Sequence, residues 1–393
     1  MQVLTYRYRP FHATVEKLLK LVAPLLPRVK GKALSAPPRK VLILKFGGMG
    51  EAVLARSLME GLRERNPGME FDCLVEKRTA EMMTIGSQGR IYMYSLRADG
   101  LSTALATLRE IRSRHYDAIL DFEQHSLLTA AFARATSIPV RVGFIPSEPS
   151  RRGQMFTHAV QLRESESMWR AFVRLGRVLD HDLPEQLMTF PLPCSSESDM
   201  WLSEWWNDHL CSNTKGPVLV MHIGVGPSAL YRRWPTERFV GLATAIAGIR
   251  NDVTIILTGT KNEHSLIDDF RKGFPGRSID ASDLGGLERT AVLLRRCDLL
   301  ISADTGIMHL GAAMGTPTVG LFGPNTPACW APVGPRATYV YSTCMSCSPC
   351  INSYRRHIPE KCTAIQEGGC MLDIAVDDVL RAARTVVRDS WIC

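Results

Sequence analysis

Several stretches of this chain place side chains that can hold or move charge at the ends of apolar runs. One is Asp304-Thr305-Gly306-Ile307-Met308-His309, followed by Gly311-Ala312-Ala313. Residues 299–302 ahead of it are apolar and long enough only for a buried strand. The Asp-Thr-Gly triplet then reads as cap and turn, opening a helix that carries His309 and ends at Gly315-Thr316-Pro317. Residues 318–322 give a second strand. A helix start presents unpaired N–H groups and a partial positive charge, and so can seat a phosphate. Asp304 could cap that end, Thr305 could hydrogen-bond an oxyanion, and Gly306 lets the backbone approach closely. His309 could bond a phosphate or sugar hydroxyl, or simply pack. On spacing alone, a capped crossover helix of any doubly wound sheet fits equally well.

Three more strand-to-turn junctions carry candidates. Gly47-Gly48-Met49-Gly50-Glu51 follows the apolar run 41–46, where a tight turn into a helix would expose Glu51 at a sheet edge. Its carboxylate can serve as a base or merely favour a helix dipole. His222-Ile223-Gly224-Val225-Gly226 opens a Gly-rich loop that runs to Arg232-Arg233-Trp234-Pro235. A guanidinium binds two oxygens of a diphosphate at once, whereas the plain reading is a surface pair above a buried tryptophan. Glu263, after Leu257-Thr258-Gly259, can accept from both hydroxyls of a ribose or can start a helix.

The run from Asp304 to Pro324 resembles the signature of glycosyltransferase family 9, the ADP-heptose:lipopolysaccharide heptosyltransferases. The resemblance covers residues 40–385. It implies that Asp304, Thr305, Gly306 and His309 hold the diphosphate of a nucleotide sugar, with Gly224 and Glu263 on the same donor. Arg232 stands where the family carries a lysine on the donor phosphates. Glu51 stands where it carries an aspartate, the general base for the acceptor hydroxyl, beside the acceptor-side glycines Gly47, Gly48 and Gly50. It also implies the GT-B architecture, two Rossmann-like doubly wound domains facing across a cleft. The expected activity is inverting transfer of a heptose or related sugar from an ADP-heptose-like donor to a saccharide or glycolipid, with no cofactor required. A nucleotide-sugar epimerase or hydrolase, or a non-catalytic sugar-nucleotide-binding scaffold, are the alternatives.

Eleven cysteines are present, an odd number that suits a reducing compartment better than a disulfide scaffold. Cys344, Cys347 and Cys350 form a tight run with metal-ligand spacing, and Cys362 and Cys370 could complete a structural zinc or iron site. Reduced structural thiols are the other reading.

The elements needed to position these groups are legible as alternation. Strand-like runs at 41–46, 70–75, 116–122 and 140–144 precede a mixed region near 180–215; a second set follows at 218–222, 253–258, 299–302 and 318–322. Alternation with helical periodicity, as over 52–65, argues two α/β halves with parallel sheets. The expected division is a basic arm at 1–40, an acceptor domain at 41–190, and a donor domain at 191–393 containing the Cys-rich segment 344–370. The sequence shows no internal repeat.

Net charge is +8 over 393 residues, but residues 1–40 hold nine Lys/Arg against Glu16, so the body is neutral. That excludes the basic folded surface of a nucleic-acid binder. Within the arm Phe11, Val15, Leu18, Leu19, Val22, Leu25 and Leu26 recur at helical spacing. An amphipathic basic helix can lie on an anionic membrane surface, dock on the body, or remain a disordered leader. The expected location is cytoplasmic, peripheral on the inner face of the cytoplasmic membrane.

Overall fold

Runs such as Val41-Leu42-Ile43-Leu44 are apolar at successive positions, so both faces of the strand must be covered, which is the condition of a parallel sheet flanked by helices. The computed structural model describes residues 34–86, 89–93, 100–146, 150–184, 191–210, 216–352, 357–364, 368–387 and 391–392, with scattered positions between 16 and 31. The chain divides at 190/191 into two compact units.

In the N-terminal unit the strands are β1 Lys40–Lys45, β2 Glu70–Val75, β3 Ile91–Met93, β4 Ala118–Asp121, β5 Val140–Ile145 and β6 His158–Gln161. They lie in the order β3-β2-β1-β4-β5-β6, all parallel. In the C-terminal unit β7 Val218–His222, β8 Thr254–Thr258, β9 Ser278–Ala281, β10 Leu299–Ala303, β11 Thr318–Phe322 and β12 Ala337–Tyr341 lie in the order β12-β11-β10-β7-β8-β9, again all parallel. The two sheets therefore share one topology, although no repeat shows in the sequence. Each is an α/β doubly wound unit of Rossmann type.

Four strands were not anticipated: β3, β6, β9 and β12. Each is an edge strand of its sheet, short or with few buried residues. The helix Met49–Arg65 also starts three residues before its apolar periodicity does, because Gly48 at φ 68° makes the turn. Glu51 consequently lies in the first helical turn.

Packing fixes both units. In the C-terminal one, Met221, Ile255, Ile301 and Leu321 meet Trp234, Phe239 and Phe270 in a single core that also takes in Ile374, Val379 and Ala383. Trp234 is fully buried, stands edge-on to Phe239 at 4.8 Å, and donates its indole N–H to the Ile374 carbonyl at 3.1 Å. In the N-terminal one, Leu42, Leu44 and Ile119 share a core with Phe156 and, from the arm, Ala23, with Leu19 packed against it. The Glu16 carboxylate accepts from the Leu127 N–H at 3.2 Å. These described arm positions dock on the body, while Leu21 is exposed. The rest of the amphipathic helix expected there lies outside the described residues. Among the described residues no helix is long and apolar enough to cross a membrane.

Replacing Trp234 with alanine should cost the C-terminal unit about 3–5 kcal/mol, read as a fall in the denaturant midpoint of its transition, with the other unit unaffected.

Candidate functional site

Where strand order reverses, two neighbouring strands send their following loops to opposite faces and leave a crevice at their C-terminal ends. The reversal lies between β1 and β4 in one sheet and between β7 and β10 in the other. The residues singled out above, the cysteines apart, collect at or beside these two places.

In the N-terminal unit, Lys45 ends β1 with its ammonium fully buried, 2.7 Å from Glu51 Oε2 and 2.6 Å from Glu123 Oε1. The same Glu123 oxygen accepts from the backbone N–H groups of Phe46 at 2.8 Å and Gly47 at 3.0 Å. Burial pushes the Glu51 carboxyl up, Lys45 pulls it back, and the charge of Glu123 pushes it up again, so that it ends above the usual range. Glu123 is also raised by burial, but Lys45 and the two backbone donors outweigh this and hold it low. Gly48 stands at positive φ, and a Cβ there would lie 3.0 Å from the Glu51 carboxyl carbon. Gly47 lies in the turn ahead of it, and Gly50 is the second residue of the helix.

Beneath this group, Asp121 at the end of β4 and Arg152 form a fully buried pair at 3.0 Å. Asp121 also accepts from Thr129 Oγ1 and from the Glu123 N–H. Lys45 and Glu123 were missed in the sequence. The available signal was a lysine at the inner end of an apolar strand, where only a paired ammonium can be buried.

In the C-terminal unit, β10 leads into Asp304-Thr305 and the helix Gly306–Ala313. The structure gives the capping role to Thr305 and not to Asp304. Thr305 is the N-cap, its hydroxyl accepting from the Met308 N–H at 3.4 Å and lying 3.0 Å from Ser302 Oγ. Extended backbone at Thr305 aims its short side chain along the helix axis. Asp304 instead turns sideways, accepting from Asn325 Nδ2 at 2.8 Å and from Arg232 Nη1 at 3.3 Å.

Arg232 ends the 3₁₀ turn Pro227–Arg232 and also donates to the Asp304 carbonyl at 3.3 Å. Its Nε is buried with no hydrogen-bond partner among the described residues. His309 is 3% exposed, stands edge-on to Trp330, and leaves its Nδ1 similarly unpartnered. Burial drives its imidazole down to about 4, with Asp304 pulling the other way, so the ring is neutral at pH 7. Two donor-capable groups without acceptors therefore stand beside a helix start.

Glu263 closes a capping box, accepting from the Thr260 N–H at 2.6 Å and the Thr260 hydroxyl at 3.0 Å. It lies directly over Gly224, where a Cβ would fall 1.6 Å from its Oε1. Gly224 and Glu263 are thus brought together after β7 and β8, and only a residue without a side chain fits under that carboxylate.

Cys347, Cys350, Cys362 and Cys370 line a single cavity of about 870 Å³, with Tyr231 and Met345 among its other walls. Cys344 is exposed and its sulfur lies beside the Ser342 hydroxyl. Burial and then the charges of the other thiols push Cys350 up to about 11 and Cys370 up to about 12. Among the described residues no group of three or more His, Cys, Asp or Glu is placed to hold a metal ion. The Tyr231 hydroxyl donates to the Pro359 carbonyl at 2.9 Å, which ties this lobe to the turn that ends in Arg232.

The family model for glycosyltransferase family 9 (heptosyltransferase) matches residues 104–358. Lipopolysaccharide heptosyltransferase 2 of Salmonella typhimurium is 23% identical over 329 residues, covering 77% of this chain and 87% of its own length. The structure of a glycosyl transferase family 9 protein from Veillonella parvula superposes with a TM-score of 0.72 at 18% identity, over 90% of this chain and 99% of that one. The iron-containing dodecameric heptosyltransferase TibC of enterotoxigenic E. coli, solved with ADP-D-beta-D-heptose, gives a TM-score of 0.51 at 10% identity, over 91% of this chain and 77% of that one.

Proposed function

The chain belongs to glycosyltransferase family 9, the heptosyltransferases, and on that premise we propose that it transfers a heptose or related sugar, with inversion, from an ADP-heptose-like donor to a saccharide or glycolipid acceptor of lipopolysaccharide-type synthesis. The observation that carries this reading is the group of unfilled donors after β7 and β10: Arg232 Nε, His309 Nδ1 and the helix start at Gly306. A diphosphate supplies the acceptors these groups lack.

In this reading the donor is seated on the C-terminal unit. Arg232, Thr305 and the backbone at Gly306 face the diphosphate, and Asp304 steadies the guanidinium. Glu263 reaches the ribose hydroxyls over Gly224, and neutral His309 donates to a phosphate or sugar oxygen. The acceptor meets the N-terminal unit, where Glu51 takes the proton of its hydroxyl. As that oxygen bonds to the anomeric carbon, the opposite bond to the diphosphate breaks, and its growing charge falls on Arg232 and the helix start. This route uses no cofactor.

Incubation with ADP-heptose and membrane glycolipid, following ADP release, tests the transfer. Glu51→Gln should lower the rate on the order of 10²–10⁴-fold and leave ADP binding intact. Arg232→Met should weaken ADP binding. Because the Glu51 carboxyl is raised, the acid limb of the rate should lie above the ordinary glutamate range, activity falling as pH drops through it. ADP release that needs no acceptor, or full transfer by Glu51→Gln, contradicts the reading.

As they stand the described thiols are not gathered around a metal ion; a structural zinc or iron on Cys347, Cys350, Cys362 and Cys370 rests on their sequence spacing and shared cavity, since thiolates suit both metals. Metal analysis of anaerobically purified protein reads this directly: zinc or iron lost in Cys350→Ser supports it, and metal-free wild type leaves reduced thiols. We further assign residues 1–40 to an anionic membrane surface on the inner face of the cytoplasmic membrane, from the nine basic residues there. Exchanging Arg7, Arg9, Lys20, Arg28 and Lys30 for glutamine should release the protein from anionic vesicles on flotation; unchanged partitioning contradicts the assignment.

A further inference from the structure

Two carboxylates share one ammonium after β1 and β4, and they are not equivalent. Glu123 Oε1 takes three donors: Lys45 Nζ at 2.6 Å and the N–H groups of Phe46 and Gly47. Glu51 meets Lys45 at 2.7 Å and the Gln124 side chain. With both acids ionised the trio carries one net negative charge, and hydrogen bonding leaves that charge on Glu51. A lone Lys45–Glu51 pair would instead be a neutral salt bridge, and a carboxylate neutralised in that way is a poor proton acceptor.

Glu123 is itself held from behind. Its N–H donates to Asp121 Oδ1 at 3.0 Å, and Arg152, paired with Asp121, donates to its carbonyl. The remaining charges facing the trio come from the start of the helix Lys77–Thr84. There Arg78 and Glu76 pair with each other at 3.0 Å, and Arg78 Nε donates to the Phe46 carbonyl.

We propose that Glu123 is a positioning residue of the transfer site: by drawing Lys45 and the Phe46-Gly47 backbone to itself, it places Glu51 and keeps Glu51 able to accept a proton. The proposal rests on the reading of Glu51 as the base.

Two measurements on the full chain separate the proposal from that reading. One is the titration of the Glu51 carboxyl by infrared difference, each protein against its own Glu51→Gln partner; this needs no substrate. The other is the pH profile of kcat with ADP-heptose and membrane glycolipid. In Glu123→Gln, Lys45 is left wholly to Glu51, so the titration and the acid limb should both move down by about one pH unit. The plateau rate should drop about three- to tenfold, with KM for the donor unchanged. Glu123→Asp keeps the charge and should titrate with the wild type.

Lys45→Met removes the shared cation and should move both readouts the opposite way, upward, which a general loss of stability does not do. It also keeps the test open if Glu123→Gln fails to fold. A limb and titration unmoved in the folded variants, or equal losses in Glu123→Gln and Glu123→Asp, overturn the proposal and leave Glu123 a structural brace. Should Glu51→Gln retain full transfer while the titration still shifts, it is the base assignment that fails.

Discussion

The reversal of strand order is the constraint on which the rest of the molecule depends. β1 with β4, and β7 with β10, are the neighbouring pairs whose chains leave toward opposite faces. Only there does a sheet buried on both sides open its C-terminal edge to solvent and ligand. Apart from Glu263, which follows β8, the charged groups of the two crevices follow one of these four strands within a few residues or are held by a residue that does. Lys45, Glu51, Asp121 and Glu123 belong to the first reversal. Gly224, Asp304, Thr305 and, through Asp304, Arg232 belong to the second.

The two openings are the same construction given opposite electrical characters. At the N-terminal one a single buried ammonium is outnumbered by carboxylates, which suits removal of a proton. At the C-terminal one a guanidinium and a helix start confront one aspartate, and the histidine beside them is kept neutral by burial. That suits reception of an anion.

How much of this was legible follows the physics of burial. Central strands such as β7, β10 and β11 are fully buried and betray themselves as apolar runs; their bounds can be read closely from the sequence. The edge strands β3, β6, β9 and β12 cover one flank only, and their mixed composition hides them. The shared topology is hidden for the same reason, since a third of the matching strands are silent. At the sites, turn chemistry identified the right segments, because the positive φ at Gly48 is geometry that the local sequence encodes. Partners distant in sequence were not visible. Glu123 meets Lys45 across a gap of 78 residues, and Asp304 is turned away from the cap position by Asn325 and Arg232.

The core that seats Trp234 is completed from far downstream. Its indole N–H is satisfied by the Ile374 carbonyl, and Val379 and Ala383 of the helix Val376–Val386 pack into the same interior. Trp234 lies two residues beyond Arg232, so the guanidinium rests on a wall whose last course is laid some 140 residues later. During synthesis the N-terminal unit can close early, with its acid pair in place, whereas the anion seat must wait until residue 386 clears the ribosome. A nascent chain would thus complete the Lys45 cluster well before the wall behind Arg232.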